Sequence, residues 1–331
     1  MVKPLNKVSR RVLKYFFESR EPVLLAQAGD IRSPPVFLVG PPRSGTTLIY
    51  QAITSGLRTA YFCNFAEWYP HTPLAASEFL NRAIERYESD FTSDYGEVAG
   101  RAAPSEAKGI WKSWLGRDRT DGSDMRMEKV AVARRTIAAL QKMRGAPFVA
   151  KDISNALRIR ALDKLFPGCL FVRVSLNPAD IAQSILVARQ TYRQEHDCAH
   201  TNNPLQEWVF IDSCDYEQFY DLPYLEQIAN QVFHTDNILE EDLAEIPEAR
   251  VLRMDYEQFC LHPREELDRL TGFTAAHGTH FQAKAPIPAA FRTRLRGEHL
   301  EGVNELRDLV HRLYANWQFA GAQEDQDRLS A

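Results

Sequence analysis

The chain has 331 residues with 44% hydrophobic and 25% charged side chains, ordinary for a globular protein with ample core in one large domain or two modest ones. A net charge of −4 gives no global attraction to nucleic acid or to an anionic membrane, and no apolar run approaches the roughly 20 residues that span a bilayer. Five cysteines without a CxxC pair argue against a disulfide framework or structural zinc and for a reducing compartment; with no signal-peptide pattern at the N-terminus, a cytoplasmic enzyme is the default expectation.

Residues 1–30 carry Lys3, Lys7, Arg10, Arg11, Lys14 and Arg20 around Val12-Leu13 and Tyr15-Phe16-Phe17. This reads as a basic helical segment packed on the domain's edge, with contact to a membrane surface or a partner as the second reading. Val36 to Val39 is a continuous apolar run, the pattern of a strand buried on both faces of a parallel sheet. It stops at Gly40, and from Gly45 the spacing of Leu48, Ile49, Ala52 and Ile53 is helical. Strand, glycine-bounded loop and helix together aim loop amides and a helix N-terminus at an anion. Gly40-x-x-x-x-Gly45 has P-loop spacing, but Thr46 stands where the triphosphate-binding Lys belongs, which disfavours an ordinary ATPase or GTPase. The loop Pro42-Arg43-Ser44-Gly45-Thr46-Thr47 instead suits a less heavily charged 5′-phosphate, gripped by amides and hydroxyls with Arg43 at its tip.

Thr59 to Cys63 reads as a second short strand, followed by a loop with Glu67. In an open parallel sheet this loop lies at the carboxyl edge, where ligands bind, although Glu67 fits a plain surface carboxylate equally well. Residues 73–126 form a helical and irregular insertion, with a helix near Leu74–Tyr87 and a stretch from Pro104 to Trp114. Trp111 and Trp114 are either stacking platforms for a sugar or anchors of the insertion's own core, the second being favoured. A helix over 127–143 leads to a strand over 147–150 that ends at Lys151-Asp152; a helix over 157–165 and a strand over 169–175 follow. Asn177-Pro178 opens the next helix, with Pro178 in the first turn. This alternation predicts an α/β fold, a P-loop-like doubly wound parallel sheet flanked by helices, over about 31–320. Beyond it lie helices over 215–246, a strand from Val251, a helix over 263–270, a loop over 272–297 and a terminal helix over 299–319. A polar tail occupies 321–331. His196-Asp-Cys198-Ala-His200 matches no common zinc spacing, so no metal is expected.

Pro41-Pro42-Arg43-Ser44-Gly45-Thr46-Thr47 resembles the 5′-phosphosulfate loop of sulfotransferases that use 3′-phosphoadenosine-5′-phosphosulfate (PAPS). Lys151-Asp152, Phe166-Pro167-Gly168 and Asn177-Pro178 through Ser184 extend the resemblance to bacterial carbohydrate and lipid sulfotransferases and to tyrosyl-protein sulfotransferases. The resemblance implies PAPS as donor, Glu67 as catalytic base, and Arg43 and Lys151 as the cations that neutralise the leaving phosphate. It also implies a hydroxyl acceptor, first a glycan or glycolipid, then a small metabolite. In that family an Arg and a Ser of an Arg-Asn/Asp-Pro-x-Asp-x-x-x-Ser run hold the donor's 3′-phosphate; Ser184 matches the Ser, but Leu176 replaces the Arg. Arg173, three residues upstream on a strand, faces the other way. Arg189 and the cluster Arg292, Arg294 and Arg296, in the loop that the family closes over its donor, are the candidate substitutes. Two rivals stay open: a phosphotransferase on the same scaffold, and a non-catalytic nucleotide-binding protein degenerate at Leu176.

Overall fold

Four parallel strands form the centre of the computed structural model, which describes residues 7–94, 96–116, 119–196, 219, 221–293 and 300–315, the side chains of 7–10 and 192–196 excepted. They are β1 (Val36–Val39), β2 (Val149–Lys151), β3 (Leu170–Ser175) and β4 (Val251–Asp255), in the order β2-β1-β3-β4. Every pairing is parallel, with Val36 opposite both Val149 and Leu170, and Phe171 opposite Val251. Because β1 is flanked by the two strands that follow it, chain order reverses direction at β1, and its carboxyl end is the topological switch point. All four β1 side chains are buried, as their unbroken apolarity requires.

Helices cover both faces. Helix α1 (Lys7–Ala26) lies against α4 (Pro73–Phe79) and α7 (Met127–Arg144), while α2 (Thr46–Gly56) runs back from β1 with Ile49, Ala52 and Ile53 buried. Between them sit α3 (Asn64–Glu67), α5 (Asn81–Glu85) and α6 (Lys108–Leu115). Trp111 and Trp114 of α6 are core residues: Trp111 is fully buried with its ring centroid 5.8 Å from that of Phe37, and both indoles meet Phe62. They are therefore not available as sugar platforms. Beyond α8 (Ile159–Leu165), α9 (Pro178–His196), α10 (Tyr224–Ala244) and a helix over 303–315 enclose a second apolar cluster built on Ile181, Ile185, Ile228, Val232 and Leu306. The chain after β4 continues as α11 (Tyr256–Leu261) and α12 (Pro263–Ala276).

Several expected elements differ. Thr59–Cys63 makes no strand: Ala60 forms one parallel bridge to Phe148, and Cys63 one antiparallel bridge to Pro104. Pro147, beside the first bridge, has no N–H to carry that ladder further, and Pro104 is itself the partner in the second. The helix expected over 74–87 breaks at Leu80 (φ −102°, ψ 14°) into α4 and α5. The helix expected from Leu157 begins at Ile159, because Ile153–Leu157 forms a 3-10 turn capped by Asp152. The loop expected from 272 begins after Ala276, where α12 ends.

Glu21 shows how α1 is fastened. Its carboxylate accepts the amides of Ala75 at 2.8 Å and Leu74 at 3.2 Å in the first turn of α4. Burial nevertheless pushes this carboxyl up from 4.5 to about 7. The folded protein then binds a proton that the unfolded chain releases, so the contribution is full below about 4.5 and is lost as pH rises through about 7. Urea midpoints for wild type and Glu21→Gln across this window should show wild type losing ground as pH rises, by at most roughly 3 kcal/mol. Parallel pH curves would remove Glu21 from that role.

Candidate functional site

The loop after β1 is held open by its own backbone. Gly45 takes a left-handed conformation (φ 90°), and a Cβ there would lie 2.0 Å from Cδ2 of Tyr256, so only glycine fits beneath that ring. Gly45 is the N-cap of α2 and no side chain caps it; the Leu48 amide turns back to Gly45 O at 3.1 Å, which leaves those of Thr46 and Thr47 to a ligand or water. Ser44 Oγ is buried and has no hydrogen-bond partner among the described residues. An uncapped helix N-terminus beside an orphaned hydroxyl fits a bound phosphate or sulfate group.

Arg43 also has positive φ (70°), an unusual conformation for a side chain of this size, in a loop built to turn it. Its Nε donates to Ser184 Oγ of α9 at 3.0 Å, so two residues 141 apart in sequence share one corner of the site. Two other arginines weighed for the 3′-phosphate have partners on α10. Arg173 is locked away, donating to Asp236 and, at 2.7 Å, to Glu240 of α10. Arg189, taken in the sequence as a substitute, is fully buried and donates to Gln231 at 3.1 Å and Gln227 at 3.3 Å. Leu176 packs against the second apolar cluster. Arg292 is exposed, and Arg294 and Arg296 lie outside the described residues, as do Cys198 and His200.

Lys151 ends β2 at the same sheet edge and is buried, with its Nζ bonded to Glu106 Oε1. The other Glu106 oxygen takes Lys108 Nζ at 3.0 Å. Burial pushes the Glu106 carboxyl up, but the charges of Lys151 and Lys108 outweigh it and hold Glu106 below the usual carboxylate range. A Cβ on Gly96 would come within 3.5 Å of Glu106 Oε1, 3.6 Å of Thr47 Oγ1 and 3.8 Å of Lys151 Nζ. The loop hydroxyl, the lysine and the carboxylate thus converge on one space.

Glu67 closes α3 and accepts a hydrogen bond from Ser105 Oγ, which in turn accepts the Ala107 amide at 3.1 Å. Ala107 has positive φ (55°), and this kink lets Ser105, Glu106 and Lys108 all face the sheet edge. Sequence reasoning weighed the aromatic and basic side chains of this stretch for an acceptor but gave these three no individual role. They lie in an aperiodic stretch, and only the turn at Ala107 brings them to the site. A cleft of about 640 Å³ opens here, lined by Glu67, Trp68, Asp94, Glu97, Glu106 and Lys108. Trp68 is the exposed aromatic of this cleft, in the position that Trp111 and Trp114 do not occupy. His71, a few residues beyond Glu67 in sequence and the alternative to it as a base, is exposed and lines a different groove beside α1. Among the described residues no group of three His, Cys, Asp or Glu side chains is placed to hold a metal ion, and no helix is long and apolar enough to cross a membrane.

The profile described as "Sulfotransferase family" matches residues 34–276. Among solved structures, sulfotransferase STF9 from Mycobacterium avium aligns over 93% of this chain and 73% of its own, at TM-score 0.50 and 16% identity. Sulfotransferase STF1 from Mycobacterium tuberculosis H37Rv aligns over 91% and 81% at TM-score 0.47 and 14% identity. The sulfotransferase domain of the olefin synthase from Synechococcus PCC 7002 aligns over 76% of each chain at TM-score 0.40 and 15% identity. No curated protein matches this sequence. At 16% identity the likeness to STF9 speaks for the fold alone.

Proposed function

The chain belongs to the sulfotransferase family, and on that premise we propose that it transfers a sulfuryl group from PAPS to an acceptor hydroxyl of a glycan, a glycolipid or a small metabolite. The observation that carries this reading is the convergence of Thr47, Lys151 and Glu106 on one space beside an uncapped phosphate loop. The loop amides, Ser44, Thr46 and Thr47 hold the donor's 5′ group, and Arg43 with Ser184 supplies charge and a hydroxyl at the adjoining corner. Glu67 takes the acceptor's proton as its oxygen bonds to sulfur. Lys151 and Arg43 neutralise the charge that the opening sulfur–oxygen bond leaves on the nucleotide phosphate. As in phosphoryl transfer, the protein's part is positioning and charge stabilisation around an in-line displacement. Buried free thiols at Cys63, Cys169 and Cys260 agree with a reducing, cytoplasmic setting.

Calorimetry with 3′-phosphoadenosine-5′-phosphate in the presence of a chelator tests the donor site. Binding should persist without metal, and Thr46→Ala with Thr47→Ala should weaken it by roughly tenfold or more, the scale of two lost hydrogen bonds to an anion. Unchanged affinity in the double variant removes the loop from the donor site. Preference for ATP with Mg²⁺ would instead select a phosphotransferase. Label transfer from PAPS to an acceptor panel, followed by mass spectrometry, then separates an enzyme from a non-catalytic binder.

A further inference from the structure

Trp68 lines two clefts, not one. On one side it borders the cleft of Glu67, Glu106 and Lys108; on the other it borders a groove of about 500 Å³ between residues 68–72 and the Arg11, Lys14 and Glu18 face of α1. The groove's loop wall is fastened to the protein. Tyr69 packs its ring edge-on to Phe17 at 4.8 Å and meets Phe65 at 5.4 Å. Thr72 closes a turn by donating to Tyr69 O at 2.9 Å, and a Cβ on Gly109 of α6 would meet Pro70 at 3.4 Å. Such a preformed wall is what an apolar ligand needs. Trp68, Tyr69 and Pro70 make it apolar, while the long stems of Arg11 and Lys14 can line the opposite wall and keep their charges at the rim. Beyond that rim α1 leaves Val12, Tyr15 and Phe16 more than half exposed.

We propose that the acceptor is an amphiphile, with its hydroxyl-bearing head in the Glu67 cleft and an alkyl or acyl chain laid over Trp68 into the groove beside α1. This rests on the sulfuryl-transfer reading and assigns the groove, which the transfer reaction itself does not use. Continuity through Trp68 selects the acceptor's own chain as occupant: a ligand seated in the first cleft has the second as its next apolar surface. The head cleft is polar, lined by carboxylates and Lys108, so an uncharged polyol head joined to an apolar chain matches both surfaces.

The test uses the full chain saturated with 3′-phosphoadenosine-5′-phosphate and titrated calorimetrically with methyl and octyl β-glucoside, the latter below its micelle threshold. Each buried methylene is worth roughly fourfold in affinity, so two suffice for an octyl-to-methyl ratio of about ten or more. Arg11→Asp with Lys14→Asp removes the stems and sets carboxylates in the groove wall, and should bring that ratio towards one. Both changes lie on exposed positions of α1, and circular dichroism checks that the helix persists. A wild-type ratio near one overturns the proposal, as does a high ratio that survives the double substitution, because the chain then lodges elsewhere. Sedimentation with phosphatidylglycerol vesicles that is lost in the variant, without any octyl-to-methyl difference, also overturns it and makes this face a membrane-docking surface. Failure of the nucleotide to bind in the first step sinks the sulfuryl-transfer reading itself and is seen before any glucoside is added.

Discussion

Lys151→Ala should lower turnover about 100- to 1000-fold while leaving the fold intact, the scale for losing one preorganised group that stabilises charge in a transition state. The lysine is buried at the end of β2, close to Thr47 of the phosphate loop, where water can lend little help to a developing phosphate charge. Its present partner is Glu106, so the single variant strands a buried carboxylate that Lys108 alone must hold. Lys151→Ala with Glu106→Gln removes that stranded charge and is the necessary companion. If the single variant is inactive merely because Glu106 distorts the site, the double variant recovers turnover. If Lys151 stabilises the leaving phosphate, both stay slow while the thermal midpoint returns towards wild type in the double variant. Single-turnover rates with PAPS and circular dichroism melting measure the two quantities separately. Wild-type turnover in a folded Lys151→Ala protein would remove the lysine from the chemistry.

The parts of this molecule that were legible in the sequence are those set by short-range rules. Val36–Val39 had to be a doubly buried strand because none of its side chains is polar, and the helical spacing from Gly45 onward marks where α2 begins. Strand parity set Arg173 apart from position 176, which lies beyond the end of β3; the guanidinium is spent on Asp236 and Glu240 of α10, the helix whose Ile228 and Val232 belong to the cluster that Leu176 packs against. Parity could not name those partners, which lie in a helix more than 60 residues later. The Thr59–Cys63 reading failed for the same reason that it looked safe: the segment is apolar and extended, but strand formation also depends on a neighbour's N–H groups, and a proline stands beside one bridge and within the other.

In the candidate site, the loop motif, the sheet edge and the family resemblance drew attention to Arg43, Ser184, Lys151 and Glu67, yet they could not show that Arg43 bonds to Ser184 or that Lys151 is paired. Ser105, Glu106 and Lys108 carried no periodic or motif signal at all. Their role depends on a left-handed Ala107, a residue type that does not announce positive φ, in a segment that folds back over the sheet edge. The two tryptophans of α6 are core anchors, as favoured, although in the main core beside Phe37 and not in a core of the insertion's own. Trp111 and Trp114 sit on one helix facing the core, whereas Trp68, one residue past Glu67, is the exposed ring.

Glu67→Gln should reduce turnover by about 100- to 10,000-fold with donor affinity preserved, since an acceptor hydroxyl is a weak nucleophile until its proton has somewhere to go. The substitution keeps the size of the side chain and an oxygen able to accept from Ser105 Oγ, so the α3 end of the cleft should hold its shape. What it removes is the basic carboxylate. Three carboxylates border this cleft besides Glu67, and the geometry separates their roles: Glu106 is committed to Lys151 and Lys108, whereas Glu67 is held by one neutral hydroxyl and is open to the cleft. Asp94 and Glu97 pair with each other through their backbones, Asp94 N donating to Glu97 O at 2.9 Å, on the far wall formed by the insertion. His71→Asn is the control, because His71 faces the groove beside α1 and should not change the chemical step. The decisive comparison is the chemical step in single turnover, measured beside calorimetric affinity for 3′-phosphoadenosine-5′-phosphate. A Glu67→Gln enzyme that turns over normally, paired with an inactive His71→Asn enzyme, moves the base to His71. If both variants turn over normally, the base comes from outside this loop, and Asp94 and Glu97 become the next carboxylates to replace.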